Sequence, residues 1–330
     1  MGTPALVIQL DPNAAFRPLS SITRYYQSQE SMVYNFNLKN IESSSDMKKL
    51  LTVLEMVKFE HTIFALPFAF LGALLAARGL PDSTTSLWIV FAIVGARSSA
   101  MAFNRLVDRS YDGLNPRTRN RALPSGLVNK HFVIYFVLCS SALFFFSSWM
   151  LNTLSFHLSP VALMGIFLYS YTKRWTSLSH IFLGLAISFA PLGGWIAVRG
   201  ELHLEPLYLA AAVLFWVGGF DIIYACLDIE FDRKTGLYSI PSKWGVKVAL
   251  QIAALFHILM VLLLSYAFFL FQLSTLSWLG LVLASIGLIY EHSLVKAKDL
   301  RRVNTAFFTI NGIISLILLL FVSLDLGAFS

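Results

Sequence analysis

Long apolar segments, separated by short charged ones, constrain this chain more than any other feature of its sequence. Of its 330 residues, 57% are hydrophobic and only 13% are charged, whereas about 25% of the residues of an ordinary soluble domain are charged. Nine segments predict helices that cross a lipid bilayer, and several need their polar ends to reach the required length of about 20 residues. They cover roughly residues 62–77, 87–103, 132–151, 156–171, 178–198, 207–227, 248–270, 276–290 and 306–324.

The positions of lysine and arginine predict how these segments are oriented. Cytoplasmic loops of membrane proteins carry an excess of basic residues. Sixteen basic residues lie in the even-numbered loops, against only Arg78 and Arg199 in the odd-numbered loops and the C-terminal tail. We therefore predict a cytoplasmic N-terminus and cytoplasmic even-numbered loops. This topology accounts for most of the net charge of +7, so nucleic acid is not expected as a partner.

The N-terminal part of the chain differs from the rest. Residues 1–46 are polar and aperiodic, and they lack the apolar core of a secretory signal. We predict a disordered tail over residues 1–46 and one membrane domain over residues 47–330. The fold expected for that domain is an all-α integral membrane protein, with nine transmembrane helices around a central cavity.

Two sets of polar and acidic residues stand where apolar segments end. The first acidic set is Asn104, Asp108 and Asp112, and the second acidic set is Asp221, Asp228 and Asp232. The spacings, four residues in the first set and seven then four in the second, place each set on one face of a helix. If only one set were present, its acids could simply face water at the end of a helix. Two sets on the same predicted side indicate a functional cavity, because ionisable groups at membrane depth are costly. Together they can hold Mg²⁺ and a polyanion such as a diphosphate.

Basic residues near both sets can bind that polyanion. Lys173 lies in a short loop beside a helix end, and Arg117 and Arg121 lie in the loop that follows the first acidic set. The presence of each arginine is explained equally well by the ordinary excess of basic residues in cytoplasmic loops as by a role in binding the polyanion. A metal held by the acids would neutralise a diphosphate leaving group.

Arg97 lies inside the second apolar segment, seven residues before Asn104 and on the same helical face. An arginine at this depth needs a partner. That partner is either structural, an acid such as Asp221 or a helix carbonyl, or it is the carboxylate of an aromatic substrate. His61, at the mouth of the first segment, and Tyr224, on the face of Asp221, can line the same pocket, although His61 also fits an ordinary interfacial residue.

These residues resemble the UbiA-type intramembrane prenyltransferases. Residues 104–112 are similar to the family's first motif, N-x-x-x-D-x-x-x-D, and residues 221–232 to its second, D-x-x-Y-A-x-x-D-x-x-x-D. Residues 169–174 resemble its Y-x-x-x-K-R segment. Residues 58–69 look like the start of the 4-hydroxybenzoate polyprenyltransferases and their menaquinone-pathway relatives. Arg105, where many of those enzymes carry Asp, and Ala122-Leu-Pro in place of Arg-Pro-Leu depart from that pattern.

The resemblance implies Mg²⁺-dependent transfer of a polyprenyl group from polyprenyl diphosphate to an aromatic acid, 4-hydroxybenzoate or a similar hydroxybenzoate. It places the enzyme in ubiquinone or menaquinone biosynthesis, in the lipid bilayer of a bacterial inner membrane. The implied roles are metal binding for Asn104, Asp108, Asp112, Asp228 and Asp232, diphosphate binding for Lys173, Arg117 and Arg121, catalysis for Asp221 and Tyr224, and acceptor binding for Arg97 and His61.

Two other classes of function are compatible with intramembrane acids. Prenyltransferases of the same family also act on haem, chlorophyll or lipid acceptors, so the acceptor distinguishes these enzymes. A cation-coupled transporter is the alternative outside the enzymes. A transporter would place its ionisable groups near the bilayer midplane, whereas the acids of this chain crowd one end of their segments.

Overall fold

The computed structural model describes residues 52, 53, 56 and 62–327, which are mostly helical and contain no β-strand. The disordered tail predicted for residues 1–46 and the predicted acceptor residue His61 lie outside the described residues. The described α-helices are α1 (Thr62–Ala77), α2 (Ser83–Val107), α3 (Arg109–Leu114), α4 (Lys130–Leu151), α5 (Thr153–Thr172), α6 (Ser179–Arg199), α7 (Glu205–Ala225), α8 (Ile229–Thr235), α9 (Ile240–Leu270), α10 (Thr275–Leu294) and α11 (Asn311–Asp325).

The predicted all-α membrane fold is confirmed. Within residues 62–327, eight helical stretches are long and apolar enough to cross a membrane by length and composition, and α1 contributes a shorter apolar helix over Ala65–Ala77. Each coincides with one of the nine predicted segments, and most extend beyond it into polar residues. The number of nine spans is not confirmed, because α1 falls short of the length of the other eight.

Helix α7 lies at the centre of the bundle and packs against α6 and α9. Its residues are apolar on every side, as expected for a helix that is surrounded by others. Trp216 of α7 is fully buried and lies against Phe68 of α1, with ring centroids 4.9 Å apart. The central position of α7 places Asp221, about one turn before the end of this helix, in the interior of the protein.

Helices α1 and α6 cross at small residues, as membrane helices often do. A Cβ atom at Gly194 of α6 would overlap the carbonyl oxygen of Ala69, and one at Gly72 of α1 would overlap the carbonyl oxygen of Pro191. The two backbones are therefore in contact, and no larger side chain fits between them without moving a helix.

A buried polar cluster connects α9, α10 and α11 away from the two acidic sets. The Nδ1 atom of His257 lies 2.9 Å from Nε2 of His292. Asn311 donates a hydrogen bond of 3.0 Å from Nδ2 to Oε1 of Glu291, and both residues are fully buried. Polar contacts of this kind hold membrane helices together.

We expect Gly194→Ala to destabilise the protein, because the added methyl group forces α1 and α6 apart. The expected cost is about 1–3 kcal/mol, the usual range for overpacking, and the measurement is the midpoint of thermal unfolding in detergent. Gly193→Ala is the control, since a Cβ atom there meets no described atom within 4 Å. Equal midpoints for the two variants would contradict the close helix crossing.

Candidate functional site

The first acidic set lies across the end of α2. Asp108 terminates α2 with φ −90° and ψ 5°, and α3 begins at the next residue. The helical hydrogen bonds nevertheless continue, since the N–H of Asp108 donates to the carbonyl of Asn104 at 2.9 Å and the N–H of Asp112 to that of Asp108 at 2.7 Å. The side-chain amide of Asn104 also donates to Oδ2 of Asp108 at 2.9 Å. The predicted common face therefore brings these two side chains into contact.

The second acidic set lies across the end of α7. Asp221 lies about one turn before the end of α7, Asp228 closes a 3₁₀ turn over Cys226–Asp228, and Asp232 lies in α8. All three carboxylates are buried. Both sets thus occupy places where a membrane helix is interrupted, and both interruptions are followed by a short helix.

Arg117 connects the loop after the first set to the second set. Its guanidinium donates to both oxygens of Asp228, at 3.1 Å and 2.5 Å. It also donates to the hydroxyl of Tyr224 at 2.8 Å and lies over that ring at 5.2 Å. Burial lowers the pKa of Arg117, but the negative charge of Asp228 outweighs burial, so the pKa of Arg117 is raised. A bidentate ion pair therefore joins the loop after the first acidic set to the second acidic set.

The first set has basic partners of its own. Arg121 lies 2.7 Å from Oδ1 of Asp112, and Arg105 lies 3.8 Å from the other oxygen. Arg174 lies 3.2 Å from Asp108. The pKa of Asp108 is raised, first by burial and then by the negative charge of Asp112.

Lys173 lies between the two sets. Burial lowers the pKa of Lys173, but the charges of Asp232, Asp221 and Asp228 outweigh burial, so that its pKa is raised. The charge of Lys173 also lowers the pKa of Asp108. The charge of this single ammonium group is thus coupled to carboxylates of both sets.

A cavity of about 570 Å³ opens between the helices beside these residues. Its walls are mainly apolar side chains of α1, α2, α4, α5, α6 and α7. Its polar lining is formed by Arg97, Asn104, Arg105, Arg121, Tyr169, Asp221 and Tyr224, with Ser148, Ser155 and Ser159 elsewhere in the wall. Among the described residues, the other four acids of the two sets do not line the cavity, and Lys173 and Arg117 also lie outside the lining.

Aromatic rings form one wall of the cavity. A π-helical turn over Thr305–Ile310 precedes α11 and presents Phe307 and Phe308 to the cavity. The ring of Phe307 lies 4.2 Å from that of Tyr224 and 5.1 Å from that of Phe220, measured between centroids. π-Helical turns occur often at functional sites, and the apolar sequence gave no indication of this one.

Arg97 lines the cavity but does not pair with Asp221. Its Nε atom is buried and has no hydrogen-bond partner among the described residues. The prediction of Asp221 as a structural partner is therefore not supported, whereas a ligand in the cavity remains within the reach of Arg97.

The partner of Asp221 is a residue that the sequence did not indicate. The Nδ1 atom of His180, in the first turn of α6, lies 2.6 Å from Oδ2 of Asp221. Ser239, also unpredicted, donates to Oδ2 of Asp232 at 2.8 Å. A histidine inside an apolar segment was the available signal for His180, but nothing in the spacing connects it to Asp221, which follows 41 residues later.

The chemistry of the two sets fits a hard divalent cation. Their donors are carboxylate and amide oxygens, the ligands that Mg²⁺ prefers, and Oδ2 of the buried Asp112 has no hydrogen-bond partner among the described residues. Within the same residues, no three acids, histidines or cysteines lie close enough together to hold a metal. Two carboxylates of the sets, those of Asp228 and Asp112, form ion pairs with Arg117 and Arg121.

Comparisons with known proteins identify proteins that are similar to this chain in sequence and in fold. The sequence profile of the UbiA prenyltransferase family matches residues 65–321. The 4-hydroxybenzoate octaprenyltransferase of Tolumonas auensis is 31% identical over 239 residues, which are 72% of this chain and 83% of that protein. The apo structure of a UbiA homolog from Aeropyrum pernix has a TM-score of 0.74 at 35% identity and covers 81% of this chain and 98% of that one.

A further solved structure shares the fold. It is a UbiA homolog from Archaeoglobus fulgidus bound to DMAPP and Mg²⁺, with a TM-score of 0.68 at 20% identity, and the match covers 84% of this chain and 100% of that one. At this level of identity, the likeness concerns the arrangement of the helices.

We expect Arg117→Ala to loosen the loop that follows the first acidic set, because the contact with Asp228 is lost. Hydrogen exchange of the amides over residues 113–128 should become about tenfold faster, as expected when a charged hydrogen bond is lost. Arg109→Ala, which changes an exposed arginine nearby, is the control. Unchanged exchange in Arg117→Ala would show that the contact does not hold the loop.

Proposed function

The chain belongs to the UbiA prenyltransferase family, and we propose that it transfers a polyprenyl group from polyprenyl diphosphate to 4-hydroxybenzoate or a similar hydroxybenzoate. The observation that carries this proposal is the contact of Arg117, from the loop after the first acidic set, with Asp228 of the second set, beside a cavity with mainly apolar walls. Such a cavity suits an isoprenoid chain, and the adjoining charges suit a metal and a diphosphate. The naming of relatives as 4-hydroxybenzoate octaprenyltransferases supports the choice of acceptor.

We assign metal binding to the carboxylates of Asp108, Asp112, Asp228 and Asp232, with Asn104 assisting. When bound, Mg²⁺ supplies positive charge that stabilises the leaving diphosphate. The Mg²⁺ in the Archaeoglobus fulgidus homolog supports this choice of ion. Lys173, Arg117 and Arg121 then bind the phosphate oxygens, and for the two arginines this means exchanging the contacts with Asp228 and Asp112 for contacts with phosphate.

The proposed reaction exchanges one bond for another. The bond between the allylic carbon and the diphosphate oxygen breaks, and its electron pair leaves with the diphosphate. The ring carbon ortho to the phenol hydroxyl supplies the electrons of the new carbon–carbon bond, and the ring then loses a proton. The carboxylate of Asp221 and the ring of Tyr224 lie at the cavity, where they stabilise the positive charge of the allylic carbon.

Arg97 is proposed to bind the carboxylate of the acceptor. Its buried Nε atom has no hydrogen-bond partner among the described residues and lies at the cavity that also contains Asp221 and Tyr224. An arginine can bind a carboxylate through two parallel hydrogen bonds, which would orient the phenol ring. His61 remains a predicted contact of the acceptor.

The cellular setting is also part of the proposal, and the basic even-numbered loops and the family resemblance support it. We place the enzyme in a bacterial inner membrane, with both acidic sets on the cytoplasmic side and the prenyl chain in contact with lipid. The product would enter ubiquinone or menaquinone biosynthesis.

The direct test uses membranes that contain the overexpressed protein. They are incubated with Mg²⁺, a polyprenyl diphosphate and either a series of aromatic acids or, in parallel samples, haem, chlorophyll or lipid precursors, and products are identified by mass. A prenylated hydroxybenzoate that is absent without Mg²⁺ supports the proposal. Products with only haem, chlorophyll or lipid precursors would instead identify another acceptor class in the same family.

Asp228→Asn should reduce prenyl transfer by about a hundredfold or more, because a neutral amide oxygen binds the metal more weakly than a carboxylate and cannot balance the nearby basic groups. The initial rate is measured in membranes with matched protein levels. Glu230→Gln is the control, since Glu230 is exposed and lies between Asp228 and Asp232 in the sequence. A rate near wild type for Asp228→Asn would refute the metal assignment.

Arg97→Ala should raise the KM for the hydroxybenzoate by about tenfold to a hundredfold, the usual effect of losing a charged contact. The KM for the polyprenyl diphosphate should change little. Both constants are measured at saturating concentrations of the other substrate. Equal increases in the two constants would point to a structural role for Arg97.

A further inference from the structure

His180 is a fully buried histidine in the first turn of α6. Both of its ring nitrogens have partners. Nδ1 lies 2.6 Å from Oδ2 of Asp221, and Nε2 accepts a hydrogen bond of 3.3 Å from the backbone N–H of Ile240. The ring therefore connects three helices, α6, α7 and α9.

The contact with Ile240 determines which nitrogen carries the proton. A backbone N–H only donates, so Nε2 must be the unprotonated acceptor. A neutral imidazole then carries its proton on Nδ1. This N–H donates a hydrogen bond to the carboxylate of Asp221. Because the N–H of Ile240 fixes one side of the ring, the donor on the other side points at Asp221.

The start of α9 contacts the site at three places in succession. The N–H of Tyr238 donates to the carbonyl of Lys173 at 2.7 Å. The hydroxyl of Ser239 donates to Asp232 at 2.8 Å, and the N–H of Ile240 donates to His180. These three consecutive residues thus hold the backbone of Lys173, the carboxylate of Asp232 and, through His180, the carboxylate of Asp221.

We propose that His180 is a positioning residue for Asp221. It fixes the orientation of the carboxylate in the cavity and ties that orientation to the start of α9. This inference rests on the proposed function, because Asp221 acts there on the allylic carbon. Partners of this kind affect turnover without touching the substrate, typically by about tenfold to a hundredfold.

The test compares two substitutions of His180. His180→Leu is similar in bulk and removes both hydrogen bonds. His180→Gln retains one donor for Asp221 and one acceptor for Ile240 on a single amide. Ser179→Ala is the matched control, because the neighbouring Ser179 is also fully buried and its hydroxyl has no hydrogen-bond partner among the described residues.

We expect kcat to fall by about tenfold or more in His180→Leu, while both KM values stay within about threefold of wild type. His180→Gln should recover most of the lost turnover, and Ser179→Ala should behave as wild type. Turnover in His180→Leu close to wild type would overturn the inference. An equal loss in His180→Gln, or KM values that rise as much as kcat falls, would do so too.

Trypsin cleavage provides a readout that does not depend on activity. Lys234 and Lys243 are exposed on either side of Tyr238, Ser239 and Ile240. Cleavage at these lysines should be several-fold faster in His180→Leu than in wild type or His180→Gln, because Ile240 loses its acceptor. Equal rates would overturn the connection to α9. If wild type transfers no prenyl group, the proposed function fails, and the cleavage rates still decide whether His180 holds this segment.

Discussion

The ion pair between Arg117 and Asp228 is the contact on which the site depends. Burying a carboxylate inside an apolar bundle is costly unless a positive group accompanies it, and the chain buries Asp112, Asp221, Asp228 and Asp232. Arg117 neutralises one of them from a loop that belongs to the other acidic set. The same contact therefore balances charge and brings together two stretches of sequence 111 residues apart.

The basic residues of the site differ in how many carboxylates they interact with, and charge balance explains this difference. Arg117, Arg121 and Arg174 each bind one carboxylate, whereas Lys173 interacts with acids of both sets. A polyanion that enters with a divalent cation brings charges of both signs, so the arginines can change partners without leaving a carboxylate unpaired. Under the proposed function, we therefore expect a ligand that arrives together with its metal.

Much of the fold could be predicted because the signal is local. Apolar segments of sufficient length mark membrane helices directly, and each predicted segment coincides with a described helix. Several boundaries moved outward, in some helices because polar residues cap them. Asp82 accepts a hydrogen bond from the N–H of Thr85 at the start of α2, and Ser239 caps α9. The four-residue spacing likewise anticipated the contact between Asn104 and Asp108, since both residues belong to one helical run.

The rest of the site depends on contacts between distant parts of the chain, which spacing cannot reveal. His180 meets Asp221 only because α6 and α7 pack side by side, and Arg117 meets Tyr224 only because the intervening loop folds across the site. For the same reason, the sequence predicted basic residues beside the two sets but not that Arg117 and Arg121 contact the carboxylates of Asp228 and Asp112.

The π-helical turn over Thr305–Ile310 has a consequence for comparing this chain with its relatives. A turn closed by i→i+5 hydrogen bonds contains one more residue than an α-helical turn. Relative to a continuous α-helix, every side chain of α11 is therefore rotated by about 100° with respect to the residues that precede the turn. An alignment without a gap against a relative that lacks this turn would pair lipid-facing positions of α11 with interior ones.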